Sequence, residues 1–531
     1  MKLKYIILSA FLIILTLPVI AQISQHFQKR LAIKVTHESF WWDGVVNQGS
    51  LMPLKANYHA NIIGNNYNNQ IQPLLLSSKG EVIWSNDPFE IEYTADSLII
   101  KNDTKIDYIK AGENLKQAYL YACRSYFPFT GKTPYKLLFS NPQYNTWIEL
   151  VYNQNQDDVL KYAQSIINNG LTPGVLMIDD NWQEDYGNWC FHPGRFKSPK
   201  EMISKLHTMG FKIMVWVCPF VSADSENGRE VVRKKLVLQD KNNQPAIINW
   251  WNGYSLLLDF SNPKAVEWFK NSLNVLVNEY GVDGFKFDAG DAVFYKGNII
   301  SFVKNTSAND HSTLYGKIGL DYPLNEYRAM WKMGGQPIAN RLADKRHNWL
   351  DLQELIPNMI TEGLMGYAFS CPDMIGGGEF GSFQNLTNID QDLIVRSAQC
   401  HALMPMMQFS VAPWRILDKP HFDAVLKAIK LREHFKDYIL ETVEASAKSG
   451  EPVLRSMEYV YPQNSYEMIK DQFLLGDSLL VAPILTKNTT KRTIVVPNGL
   501  WKTASDQLIK GPKRIEVSVQ LDELPYLQKV K

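Results

Sequence analysis

Cysteine is scarce in this chain: five in 531 residues, Cys123, Cys190, Cys218, Cys371 and Cys400, odd in number and without paired spacing. That excludes a disulfide framework and a zinc site built from cysteine pairs, and it leaves buried thiols as the expectation for most of them. An excess of either charge is also missing. Lys and Arg total 55 against 54 Asp and Glu, a formal charge of +1, so no basic surface for nucleic acid is implied. The ten histidines show no His-Glu-x-x-His or comparable spacing, which argues against a metal centre. No Gly-rich loop follows the first strand of the central region, so the dinucleotide-binding fingerprint is absent. Past residue 22 no run is apolar enough to cross a membrane.

The N-terminus is the exception. Lys2 and Lys4 precede an apolar run that ends at Ala21, with Val19 two residues before it. Residues 1–21 therefore read as a signal peptide cleaved after Ala21, its apolar run short for a span. No Cys follows, so lipid modification is not expected. The mature chain is expected to be exported without stable membrane insertion. Richness in Lys, Asn and Ile suits a bacterial source, with the periplasm the expected location.

The remaining length exceeds what one core usually fills, so several domains are expected. Residues 22–135 alternate apolar and polar positions in short runs such as Val82-Ile-Trp and Leu98-Ile-Ile-Lys, broken by turns such as Gly64-Asn-Asn-Tyr-Asn-Asn. This predicts an N-terminal β-sandwich. From 136 to 435 near-continuous apolar strands alternate with helices. Thr146 to Tyr152, Gly174 to Asp180 and Lys212 to Pro219 read as strands. Asp157 to Asn168, Pro199 to Met209 (with Ser198 as cap) and the run from Asn262 read as helices. That texture belongs to a parallel sheet covered on both faces, and 300 residues of it suit a (β/α)8 TIM barrel, with a doubly wound sheet as rival. Residues 436–531 return to short strands, predicting a C-terminal β-sandwich domain.

The barrel stretch with most chemistry is Gly281-Val-Asp-Gly-Phe-Lys-Phe-Asp-Ala-Gly-Asp291. Gly284-Phe-Lys-Phe is a short strand, and Asp288 stands at its end with small Ala289 and Gly290 leaving space over the carboxylate. Barrel chemistry sits at C-terminal strand ends. Lys286, two residues back on the same strand face, supplies a cation to keep Asp288 ionised, so Asp288 is a candidate nucleophile; a capping acid on a βα loop is the alternative.

This stretch resembles the nucleophile region of glycoside hydrolase family 31. Asn249-Trp-Trp-Asn-Gly-Tyr-Ser-Leu-Leu-Leu-Asp-Phe-Ser-Asn-Pro263 resembles the segment preceding that nucleophile, and Asp471-Gln-Phe-Leu-Leu-Gly-Asp-Ser-Leu-Leu-Val-Ala-Pro483 resembles the family's C-terminal signature. The resemblance implies a barrel flanked by β-domains and retaining α-glycosidase chemistry with no metal or organic cofactor. Its acid/base aspartate precedes a helix-opening Trp by five residues. Asp344 stands five before Trp349, which implies the acid/base role for Asp344. The Gly-rich stretch that normally separates the family's Arg from this acid is largely missing, leaving the role of Arg341 open. A helix-start acid is the alternative for Asp344.

Other strand ends would complete a sugar pocket: Asp179 and Asp180, Lys286, the walls Trp216 and Trp251, and Asp373 of Cys371-Pro-Asp-Met-Ile-Gly-Gly-Gly378, which resembles a family motif around a substrate-contacting acid. Carboxylates suit neutral polyols because each accepts several hydroxyl hydrogen bonds. Each Trp could equally be core. The sugar turns on Ile178-Asp-Asp-Asn-Trp182. Family α-glucosidases usually carry a pattern like Asp-Ile-Asp-Tyr-Met there, whereas adjacent acids followed by Trp look more like the strand end of α-galactosidases from related barrel families. With Trp182 filling the space of an equatorial O4, terminal α-galactose is expected, with α-glucose as alternative. The expected partner is thus a small α-linked galactoside or glucoside. A binding-only relative that keeps the fold without turnover is the other class, opposed by the presence of both Asp288 and Asp344.

Overall fold

The computed structural model describes residues 24–384 and 389–530, and the expected leader, residues 1–21, lies outside them. Eight parallel strands form the centre. They are β1 (Gln143–Asn145), β2 (Val175–Ile178), β3 (Lys212–Val217), β4 (Gly284–Phe287), β5 (Leu324–Tyr327), β6 (Asn340–Arg341), β7 (Ser370–Cys371) and β8 (Gln408–Phe409). The hydrogen-bonded order runs β7-β6-β5-β4-β3-β2-β1-β8, and a parallel bridge between Met374 and Gln408 closes the remaining gap. The strands are buried on both faces, as their apolar runs require. The register aligns Trp216 with Lys286 and Lys286 with Glu326, so an indole, an ammonium and a carboxyl side chain share one level of the barrel.

Helices cover the outside: α1 (Gln156–Asn168), α2 (Pro199–Thr208), α3 (Pro263–Val275), α4 (Ala308–Ile318), α5 (Trp349–Leu364) and α6 (Gln391–Ala402). Most begin on a polar cap. Asn155, Asn262 and Asn348 accept backbone N–H groups, and Ser307 with Asp310 forms a capping box. Ser198 does not cap α2 through its side chain; instead its own N–H donates to Gln156 Oε1 at 2.8 Å.

Antiparallel β-domains flank the barrel, one sheet over residues 24–110 and one over residues 454–529. The loop at Gly64 does more than turn. Asn69 Nδ2 donates to the carbonyls of Arg328 (2.9 Å) and Arg341 (3.0 Å), and Asn66 Oδ1 accepts Ala292 N–H at 2.6 Å, so the N-terminal domain is clamped onto the barrel's C-terminal rim.

Two segments differ from expectation. Thr146 to Tyr152 is not a strand: β1 ends at Asn145, and Trp147–Leu150 is one helical turn. Asn145 Oδ1 accepts Trp147 N–H (2.8 Å) and Thr146 Oγ1 donates to Gln154, local side-chain bonds that turn the chain despite its β-prone composition. Lys436–Ser449 is helical, ending at Gly450 (φ +79°), so the C-terminal sheet starts only at Leu454. Cys123, Cys218, Cys371 and Cys400 are buried free thiols and Cys190 is partly exposed. No helix among the described residues is long and apolar enough to cross a membrane.

Candidate active site

The C-terminal strand ends surround a cavity of about 680 Å³ lined in part by Asp179, Asp180, Trp216, Lys286, Asp288 and Asp344. Asp288 extends from the end of β4. Its Oδ1 accepts Arg328 Nε at 2.9 Å and Ala289 N–H at 2.9 Å, while its Oδ2 accepts Trp216 Nε1 at 3.1 Å. Burial alone would raise its pKa. The charges of Arg328, Lys286 and Arg341 outweigh that and hold the carboxyl far below the usual carboxylate range. Asp288 is thus an ionised, partly desolvated carboxylate.

Arg328 follows β5 directly and was missed in the sequence, although its place one residue past a strand end is the signal that singled out Asp288. Its Nη2 and Nη1 grip Asp291 at 2.6 and 3.2 Å, and Nη1 also donates to the Asn68 carbonyl at 2.9 Å. Asp291 therefore anchors the guanidinium at the cavity wall, and the side chain of Trp251 packs over that guanidinium at 5.4 Å.

Asp344 lies across the cavity with its side chain 41% exposed, and its Oδ1 accepts Arg341 Nη1 at 2.5 Å. Burial raises its pKa, but Arg341 and Lys286 bring the net shift downward. Arg341, whose role the sequence left open, is buried and shared. It also donates to Asp373 Oδ1 at 2.9 Å and sits 3.3 Å from Glu326. Asp373 was expected to touch substrate. Instead it is fully buried behind Arg341, accepting Lys345 N–H (2.7 Å) and Gly378 N–H (3.0 Å). Burial pushes its pKa up to about 7 against the pull of Arg341.

On the opposite rim, Asp179 Oδ2 accepts Lys286 Nζ at 2.6 Å, both side chains about 5% exposed or less. Asp180 Oδ2 accepts Tyr186 Oη at 3.1 Å and Asn252 Nδ2 at 3.0 Å. Burial, with the neighbouring Asp179 charge, pushes Asp180 up to about 6. Asn252 and Trp251 form the two-residue tip of a hairpin between Ile247–Trp250 and Gly253–Leu257, and Gly253 (φ +93°) permits the tight turn. Trp251, 51% exposed, is a cavity wall as expected. Trp182 is not. It is fully buried, its Nε1 donates to the Trp216 carbonyl at 2.8 Å, and its ring packs on Phe191 at 4.7 Å. An indole so enclosed cannot test the space around a sugar's C4.

An eight-stranded barrel with carboxylates and cations around one strand-end cavity defines the class: a (β/α)8 barrel protein with a polar site at its C-terminal strand ends. Residues 142–340 match the family model described as "Glycosyl hydrolases family 31 TIM-barrel domain", and residues 450–530 match "Glycosyl hydrolase family 31 C-terminal domain". Together these take in more than half of the chain, and the chain belongs to glycoside hydrolase family 31. It is 31% identical over 431 residues to the Myogenesis-regulating glycosidase of Mus musculus, covering 78% of this chain and 60% of that protein. It is 26% identical to Alpha-glucosidase 2 of Bacillus thermoamyloliquefaciens, covering 76% and 56%. The chain thus spans less than two thirds of the length of either relative. Among solved structures, a Flavobacterium johnsoniae GH31 dextranase complexed with glucose superposes with a TM-score of 0.83 at 18% identity, covering 94% of this chain and 66% of that one. A GH31 alpha-xylosidase from a soil metagenome complexed with xylose gives 0.82 at 18%, covering 94% and 79%. At those identities the structures speak for the fold.

Proposed function

We propose that this protein is a retaining, exo-acting α-glycoside hydrolase with Asp288 as nucleophile and Asp344 as acid/base. The observation that carries the reading is that both carboxylates line one cavity while Arg328 keeps Asp288 ionised. Asp288 attacks the anomeric carbon as Asp344 protonates the departing oxygen. A covalent glycosyl-enzyme results, and Asp344 then takes a proton from the attacking water, releasing sugar with its α configuration and regenerating Asp288. The lowered pKa of Asp344 suits the second half. For the first half it must hold a proton. Arg341, shared with Asp373 and Glu326, is the group whose partial diversion to a sugar hydroxyl would allow this. Hydrolysis of a nitrophenyl α-glycoside with retained product configuration by NMR tests the reading. An inverted first product rejects the two-step route, and sugar binding without turnover would leave a binding-only protein.

For the sugar we propose terminal α-galactoside ahead of α-glucoside. Support comes from the adjacent Asp179 and Asp180, both lining the cavity, since a pair of acceptors on one rim can hold two neighbouring hydroxyls. Trp182 contributes nothing. The glucoside reading is favoured by the relative named Alpha-glucosidase 2. The ratio of kcat/KM for nitrophenyl α-galactoside over α-glucoside is expected above ten, about 1.4 kcal/mol or more in differential transition-state binding. A ratio below one replaces galactose by glucose and leaves the glycosidase reading intact. We further propose export to the periplasm after cleavage at Ala21. N-terminal sequencing should start at Gln22, and a cytosolic chain retaining Met1 would refute it.

A further inference from the structure

We propose that Trp147, Tyr152 and Phe380 form a leaving-group subsite for a pyranose ring, so that the substrate is a sugar α-linked to another sugar. The inference rests on the glycosidase reading above. The three rings meet edge to face in a closed triangle, with centroids 5.9 Å (Trp147–Tyr152), 5.4 Å (Trp147–Phe380) and 6.0 Å (Tyr152–Phe380) apart. All three line the cavity, and Tyr152 is 52% exposed. None of them is needed by the chemistry at Asp288.

Their placement is on the side where a leaving group departs. The acid/base carboxyl must stand beside the glycosidic oxygen, so the leaving sugar lies on the Asp344 side. The loop carrying Phe380 is packed against that carboxyl. A Cβ placed on Gly378 would come within 3.2 Å of Asp344 Oδ1, and Glu379 N–H donates to the Lys345 carbonyl at 3.0 Å. The Trp147 turn reaches the same place from β1 and is tied to the end of β8. Ile148 N–H donates to Ser410 Oγ at 2.8 Å, and Arg415 grips Glu149 through Nε (2.8 Å) and Nη2 (2.7 Å).

The chain accepts strain to present Tyr152. Val151 has φ +45° and ψ −112°, with Asn153 N–H donating to the Leu150 carbonyl at 2.7 Å. This is the second position of a primed turn, which glycine dominates, and a β-branched residue there is an outlier of the sort that gathers at functional sites. A pyranose has an apolar C–H face for the rings and hydroxyls around its edge. Glu379, also lining the cavity, accepts Gly381 N–H at 2.9 Å and both Ser382 N–H and Ser382 Oγ at 2.8 Å, which leaves about one of a carboxylate's roughly four acceptor positions for a hydroxyl. A purely apolar leaving group would cover that carboxylate without pairing it, which is costly.

The test compares kcat/KM of the full-length protein and its Tyr152→Ala and Phe380→Ala variants on three substrates sharing the preferred sugar: an α-linked disaccharide, the octyl α-glycoside, and the α-glycosyl fluoride, which has no leaving-group ring. Each variant is expected to lose tenfold or more on the disaccharide and less than threefold on the other two, with Tyr152→Phe restoring the disaccharide rate. Parallel loss on disaccharide and fluoride, or none on the disaccharide, overturns the subsite. Equal loss on disaccharide and octyl glycoside overturns its assignment to a sugar. A wild-type protein inert toward the fluoride refutes the glycosidase reading itself, a different failure from the others.

Discussion

Replacing Arg328 by Met removes the guanidinium that bonds Asp288 directly, and the structure sets how much should change. Arg328, Asp288 and Asp291 have side chains only 10%, 13% and 2% exposed, with contacts of 2.9 and 2.6 Å. Breaking a buried ion pair by deleting one partner costs about 3–5 kcal/mol, because the remaining charges stay desolvated. Two consequences separate. The first is stability: Asp291 is orphaned, so Arg328→Met/Asp291→Asn should recover more than half of the loss seen in Arg328→Met. The second is titration. Asp288 has a folded pKa depressed below its ordinary 3.8, so its contribution to stability is present above 3.8 and is lost as pH falls through the folded value. Without Arg328 that depression shrinks, and the charges of the remaining Lys286 and Arg341 preserve part of it. The acidic limb of kcat/KM should therefore move to higher pH in the single and the double variant alike. A dinitrophenyl glycoside, which needs no protonation on leaving, makes the limb report Asp288 rather than Asp344. An unmoved limb would refute the reasoning about Asp288, and equal denaturant midpoints for the two variants would refute that about Asp291.

Asp344→Ala should slow an α-linked disaccharide by about 10²–10⁴-fold while sparing a dinitrophenyl glycoside in the first step; equal losses on both would remove the acid role. Asp288→Ala should abolish turnover on every substrate. Asp180 has a raised folded pKa of about 6, so the native state holds its proton more tightly than the unfolded chain and stability falls as pH rises from 3.8 to 6. Asp180→Asn should flatten that slope and gain on the order of 1–3 kcal/mol at pH 7, read from urea midpoints at several pH values. Val151→Gly relieves about 1–3 kcal/mol of turn strain against about 0.5–1 kcal/mol of added chain entropy, so its melting temperature should rise, while freedom given to Tyr152 lowers the preference for disaccharide over fluoride. An unchanged or lower melting temperature contradicts the strain reading.

Some features were settled by local pattern. Apolar four- to six-residue runs between amphipathic helices allow little besides a covered parallel sheet, and the strand ending at Phe287 puts Asp288 at its mouth because a short strand's C-terminal neighbour must leave the sheet there. Asp179 and Asp180 were legible for the same reason, following the strand that ends at Ile178, and Lys286 because it lies two residues before Asp288 on one strand face.

Other features depend on which distant segments meet. Burial is a property of the assembled fold, so Trp182 and Trp251 are alike in sequence, yet one is sealed among Trp216, Trp189 and Phe191 and the other walls the cavity. Asp373 and Asp344 flank one Arg341, and only the packing of β6 against β7 decides that the first anchors the guanidinium while the second faces solvent. The chain by itself determined the alternation of elements and the acids at strand ends, since both follow from periodicity over a few residues. The tertiary structure decided the partners: Asn68 from the N-terminal domain under Arg328, Asn252 from a hairpin tip on Asp180, and Phe380 against Trp147 from opposite ends of the barrel sequence. Charge and contact act through space over a few ångströms, and separations of 72 to 260 residues along the chain carry no trace of them.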